Sequence, residues 1–210
     1  ALNSFMKFPL KRFYDFCSEL EIDSKEQGQI TLGSLLGTQR YAIEEIVKGL
    51  EEDIHYFDIL KARQHGITTI CLALDMFWHF QYPGMQGTLA ADSEENRDMF
   101  RSTLTMYHEG LPKSHRIGIV QNNRNFISYK NRSRMLLQIG GGVKRKGGKG
   151  RGKGLTFLHA TETASWEDEE SLASILASLA ETNPLRLFIF ESTARGFNLR
   201  HEMWEEAKMA

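Results

Sequence analysis

The sequence is short of cysteine, of net charge and of long apolar runs. Its 210 residues contain two cysteines, and the Lys/Arg and Asp/Glu totals leave a formal charge of −1. Cys17 and Cys71 stand far apart, which excludes a disulfide framework and suits a reducing compartment. The balanced charge excludes a uniformly basic nucleic-acid coat and a strongly acidic tail protein. No run approaches the ~18 consecutive apolar residues of a membrane span. Residues 1–5 lack the basic flank, apolar stretch and cleavage site of a signal peptide, so none is expected. No internal repeat is present. What remains is an ordinary globular balance, 41 % hydrophobic and 25 % charged. The length fits one large domain that needs no disulfide or metal to hold it.

Apolar periodicity predicts mostly helix over residues 1–30, a Gly33/Gly37 loop, and an amphipathic helix over 39–51. A strand over 54–60 and a buried helix over 67–80 follow. Residues 87–91 read as a strand, and Ser93 caps a helix over 94–108. Strands are expected at 116–121, 126–129, 135–139, 155–161 and 185–191, with a helix over 169–181. Strands alternating with helices imply an α/β fold around a mostly parallel sheet, with 126–139 as an antiparallel insertion. Residues 140–154 contain only glycine, lysine and arginine apart from Val143. Such a segment cannot form a core and reads as an exposed, mobile, basic loop.

Between the 54–60 strand and the 67–80 helix lies Lys61-Ala62-Arg63-Gln64-His65-Gly66-Ile67-Thr68-Thr69. A strand–loop–helix with a glycine turn aims backbone N–H groups and a helix N-terminus at an anion. Aligned on Gly66, the GxxxxGK[ST] phosphate loop puts Thr68 at the Mg²⁺-binding hydroxyl. It puts Ile67 where the lysine belongs and Lys61 where the first glycine belongs. Lys61 or Arg63 then supplies the missing cation. On these residues alone a plain glycine turn with a polar rim fits equally well.

Residues 155–162 form an apolar strand ending in one acid, Glu162. A nucleotide-hydrolysing strand usually ends in Asp-Glu, the first supporting Mg²⁺ and the second orienting water. Here Thr161 stands at the first position and adds no charge. His159 reads as a core histidine and Trp166 as packing. A third segment, Glu191-Ser192-Thr193-Ala194-Arg195, follows the last strand. All three segments fall at carboxyl ends of expected strands, where ligands bind in open α/β sheets.

The loop resembles the deviant Walker A motif of viral (bacteriophage) large terminases, DNA-packaging ATPases. His159, Thr161, Glu162, Ala164 and Trp166 resemble the family's acid-bearing segment, and Ser192-Thr193 its coupling motif. The resemblance covers about residues 35–200. It implies a P-loop, ASCE-type, RecA-like fold in one ATPase domain, with residues 1–35 as a helical extension. It implies ATP and Mg²⁺, with Gln39 reading adenine beside Arg40. Lys61, Arg63, Gln64, His65, Gly66, Ile67, Thr68 and Thr69 would hold phosphates. Thr68 and Thr161 would serve the metal, Glu162 would activate water, and Ser192 and Thr193 would couple. Arg151 (or Lys153 in its register) would be an arginine finger acting on a neighbouring subunit; the basic loop serves DNA phosphates or solvent equally well. The implied partners are double-stranded DNA, copies of the chain in a ring at a capsid portal, and a small terminase subunit, in the host cytoplasm and without a membrane. No nuclease domain or nuclease activity is expected here. A helicase-like ATPase and a nucleotide-binding module without hydrolysis are the alternatives.

Overall fold

Three stretches are buried at nearly every position instead of at alternate ones, and they form the middle of a sheet, as strands covered on both faces do. The computed structural model describes residues 7–24, 27–140, 154–166, 169–195 and 199–209. In chain order the elements are α1 (Leu10–Cys17), β1 (Glu21–Ser24), β2 (Gly28–Thr31), α2 (Gly37–Glu51), β3 (Tyr56–Lys61) and α3 (Ile67–Gln81). Next come β4 (Gln86–Ala91), α4 (Glu94–Gly110), β5 (Ile119–Asn122), β6 (Phe126–Tyr129) and β7 (Arg134–Ile139). β8 (Phe157–Thr161), α5 (Glu169–Leu176), β9 (Leu187–Thr193) and α6 (Leu199–Met209) complete the fold.

The main sheet has seven strands in the order β3-β9-β8-β4-β7-β6-β5. The first five run parallel. β6 is antiparallel to both neighbours, as expected for a 126–139 hairpin, but β7 of that pair runs parallel to β4 within the main sheet, and β5 forms the edge. β9, last in the chain, lies between β3 and β8. This α/β arrangement, a mostly parallel sheet flanked by helices, is the one expected.

Alternation along the strands divides the core. Phe157, Leu187 and Ile189 face the larger cluster, with α3 and its fully buried Trp78. Leu158, Ala160, Phe188 and Phe190 face a smaller cluster with Leu172 of α5. By the same parity His159 and Glu191 point toward α3, where an apolar residue would be the default. Ser93 caps α4 as expected, its Oγ accepting from the Asn96 N–H at 3.1 Å.

Some expectations fail. Among the described residues, the helical pattern expected over 1–30 holds only at α1; β1 and β2 form an antiparallel hairpin with Ile22 opposite Ile30. Gly28 sits at φ 70°, a turn conformation that helical spacing cannot reveal. The helix expected to reach 181 ends at Leu176, because Leu155 draws Leu179 into a parallel bridge. α6 was not expected. Among the described residues no helix is long and apolar enough to cross a membrane.

Candidate nucleotide site

The parallel strands set three chain segments side by side at their carboxyl ends. Lys61 ends β3 opposite Thr193 of β9, and Thr161 ends β8 opposite Glu191 of β9. β9 therefore separates the loop-bearing strand from the acid-bearing strand. Lys61 reaches across it: its Nζ lies 2.9 Å from Glu191 Oε2 and 3.1 Å from Glu162 Oε1, and it donates to Thr68 Oγ1 at 2.5 Å. The contact with Thr68 brings the Lys61 ammonium to the helix end of the loop.

Ile67, at the usual lysine position, packs into the core. Gln64 at φ 65° and Gly66 at φ 66° turn the loop into α3. A Cβ on Gly66 would lie 2.5 Å from Gln39 Nε2, so glycine is required there on two counts. Arg63, Gln64 and His65 are exposed, and Thr68 and Thr69 are half-buried. Gln39 is buried, and both ends of its amide are engaged. Its Oε1 accepts from the Leu36 N–H at 2.8 Å and its Nε2 donates to the Gly66 carbonyl at 2.9 Å. Gln39 thus braces the loop from behind. Arg40 lies over the Tyr14 ring, 5.3 Å from its centroid.

Glu162 adopts φ 48° and opens a short 3-10 turn, a strained placement common where a side chain must be aimed. Its Oε2 accepts from the Thr193 hydroxyl at 3.1 Å and the Thr193 N–H at 3.4 Å. Ser192 Oγ accepts from the Ala164 N–H at 3.0 Å, so the end of β9 and the turn after Glu162 are tied twice. Thr161 is buried, and its hydroxyl finds no hydrogen-bond partner among the described residues. Trp166 donates to the Thr161 carbonyl at 3.1 Å, which supports the packing role. Arg151, Lys153 and the rest of the 141–153 stretch lie outside the described residues.

Sequence reasoning missed a buried polar chain behind the site. His159 Nδ1 lies 2.6 Å from Asp75 Oδ2, and its Nε2 lies 3.4 Å from Glu191 Oε1; all three side chains are fully buried. Burial alone would lower the His159 pKa, but the Asp75 and Glu191 carboxylates together outweigh it and raise it to about 9. Burial would raise Glu191, yet His159 and Lys61 hold it below the usual carboxylate range. Burial also works against the Lys61 ammonium, and Glu191 and Glu162 reverse that, raising its pKa.

Two cavities flank the loop. One of about 300 Å³ is lined by Arg63, Asp92, Asn96, Glu162, Ser165, Thr193 and Arg195. Asp92 directly follows β4, so the strand-end logic that selected Glu162 would have found it. The other, about 470 Å³, includes Thr38, Tyr41, His65 and Trp204 in its wall. The oxygen donors of Thr68, Glu162 and Asp92 are of the hard type a divalent cation such as Mg²⁺ takes. The unpartnered Thr161 hydroxyl suits a water of its shell.

Solved structures with this topology identify the fold. The chain superposes on the large terminase of bacteriophage HK97 with a TM-score of 0.71 at 15 % identity. The fold is that of a phage large-terminase ATPase domain. The match covers 95 % of this chain and 41 % of the HK97 protein, so the chain spans well under half of that terminase. The Thermus phage P74-26 large terminase ATPase domain gives a TM-score of 0.50 at 18 % identity, and a mutant of it 0.55 at 17 %. Each of those two matches covers 70 % of this chain and 62 % of the other. No protein-family model and no curated protein sequence matches the chain. The terminase ATPase fold is therefore shown by shape.

Proposed function

We propose that the chain is the ATP-hydrolysing motor domain of a large terminase, driving double-stranded DNA into a viral procapsid. The observation that carries this reading is the meeting of Lys61, Thr68, Glu162 and Thr193 at one point, from three segments distant in sequence. Lys61, Arg63 and the amides of Gln64, His65, Gly66, Ile67, Thr68 and Thr69 hold the phosphates at the start of α3. The base takes the cavity walled by Thr38, Tyr41 and His65, while Gln39 acts through Gly66 and Arg40 stays at its periphery. Thr68, with Thr161 through a water, would hold Mg²⁺, which neutralises phosphate charge when bound. Glu162 orients the attacking water once Lys61 turns from it to the triphosphate. Its bonds to Thr193, and that of Ser192 to the following turn, carry the change into β9. Arg151 of a neighbouring copy completes the charge stabilisation in a ring on the capsid portal, beside a small terminase subunit, in the host cytoplasm.

The test is ATP turnover with and without double-stranded DNA, across protein concentration, for the parent, Lys61→Ala and Glu162→Gln. Turnover that rises with concentration and vanishes in both variants supports the reading. Fast turnover independent of concentration removes the trans arginine. ATP binding with no turnover in any assembly leaves a nucleotide-binding module, the second reading, which the uncharged Thr161 favours.

A further inference from the structure

We propose that Glu191 is a positioning residue for Lys61, supplying from β9 the carboxylate that β8 lacks at Thr161. The inference rests on the nucleotide-site reading above and extends it to residues that reading leaves unused. Thr161 and Glu191 are Cα partners in the parallel register, so the acid missing from one strand stands one strand over at the same level. Neighbouring strands lie only about 4.8 Å apart, within the reach of a glutamate side chain. The Thr161 hydroxyl is left without a partner among the described residues, whereas Glu191 Oε1 lies 3.4 Å from His159 Nε2 and Oε2, though it has no hydrogen bond of good geometry, stands 2.9 Å from the Lys61 ammonium as its ion-pair partner.

The need for Glu191 follows from where Lys61 sits. A lysine at the end of a strand carries its charge on a flexible four-carbon stem, with no surrounding loop to aim it. Glu191 Oε2 fixes the ammonium at 2.9 Å from below. His159 holds the other oxygen, and Asp75 of α3 holds His159, so the carboxylate cannot rotate away. Buried polar groups in such a chain persist when each is satisfied by the next. The sulfur of Cys71 lies near His159 and Glu191 in a metal-like trio, but both histidine nitrogens and the glutamate are already committed to this chain. Without Glu191, Lys61 would have Glu162 as its one carboxylate partner here, and the water-orienting acid would be tied up as a counter-ion. With Glu191 in place, Lys61 can release Glu162 to bind phosphate and still keep a buried partner.

The experiment measures binding of fluorescent ATP and ADP, both with Mg²⁺, to the parent and to Lys61→Ala, Glu191→Gln, Glu191→Asp and Lys61→Ala/Glu191→Gln, with melting curves for each. The readout is the ratio of ATP to ADP affinity: removing a negative charge favours the more highly charged ATP, so electrostatics alone would raise the ratio and a fall reports lost positioning. Glu191→Gln is expected to lower the ratio about fivefold or more, and the double variant to fall no further than Lys61→Ala alone. Glu191→Asp, which keeps the charge and shifts its reach, is expected to fall between. If Glu191→Gln does not fold, the same cycle is run with Glu191→Asp and Lys61→Ala/Glu191→Asp. A ratio unchanged in the Glu191 variants, or losses that multiply in the double variant, overturns the positioning role. A parent that binds ATP no better than ADP overturns it as well. A parent that binds neither nucleotide overturns the nucleotide-site reading itself.

Discussion

Replacing Lys61 by alanine is expected to destabilise the nucleotide-free protein far more than loss of a surface lysine. The Lys61 side chain is 8 % exposed and Glu191 is fully buried. Deleting the ammonium leaves the Glu191 carboxylate with His159, 3.4 Å away, as its remaining ionic partner. Breaking a buried ion pair from one side costs about 3–5 kcal/mol. Glu162 is 26 % exposed and can turn to water, so its lost contact adds little. His159 retains part of the compensation, which sets the expectation at the low end, about 3 kcal/mol. In a chain of this size 1 kcal/mol moves the melting temperature by about 2–4 °C, so a fall of about 6–12 °C is expected. Lys61→Met combined with Glu191→Gln removes both charges and should return to within about 1 kcal/mol of the parent, because apolar or neutral replacement of a whole buried pair is close to neutral. Thermal unfolding followed by circular dichroism at neutral pH, without nucleotide, measures both. A single variant melting within about 2 °C of the parent, or a double variant no better than the single, refutes the argument.

Three further outcomes are expected. Glu162→Gln should bind ATP like the parent in an equilibrium titration, while steady-state turnover falls by about 10²-fold or more, the size of a lost general base. Gly66→Ala, forced to keep φ 66° and to push Gln39 aside, should lose about 1–2 kcal/mol in denaturant unfolding and bind ATP more weakly. His159 faces Asp75, Glu191 and the Cys71 thiol, and its folded-state pKa is raised from 6.5 to about 9. The stability it contributes is therefore fully present below pH 6.5 and lost as pH rises through 9. Melting temperatures should fall across that window, and His159→Gln should flatten the fall.

Much of the architecture was legible because short strands alternate with longer helical patterns, and the expected strands at 87–91, 155–161 and 185–191 overlap the central strands β4, β8 and β9. Glu162 was legible too: an acid ending an apolar strand is conspicuous. Lys61 was legible only through the loop alignment. The polar chain behind it was not, because its meaning lies in pairings across 84 and 32 residues of sequence. His159 is a buried histidine, as the apolar strand suggested, but what satisfies it is a carboxylate on α3 and another on β9. Strand order decides this, since β9 enters between β3 and β8 only in three dimensions. Ile67 looked like a defect in a phosphate loop and is core packing. The 21–31 hairpin escaped notice because a helical spacing of aromatic residues upstream masked a short alternation around Gly28.

The placement of Lys61 in the sheet also separates two events that a loop-borne lysine would join. Its backbone is the last rung of the β3–β9 ladder, whereas Ala62 to His65 are exposed and unpaired by that ladder. On the proposed reading, the loop could rearrange around a departing nucleotide while the Lys61 backbone stays in the ladder. The emptied site would then still present a positive charge to the next incoming anion.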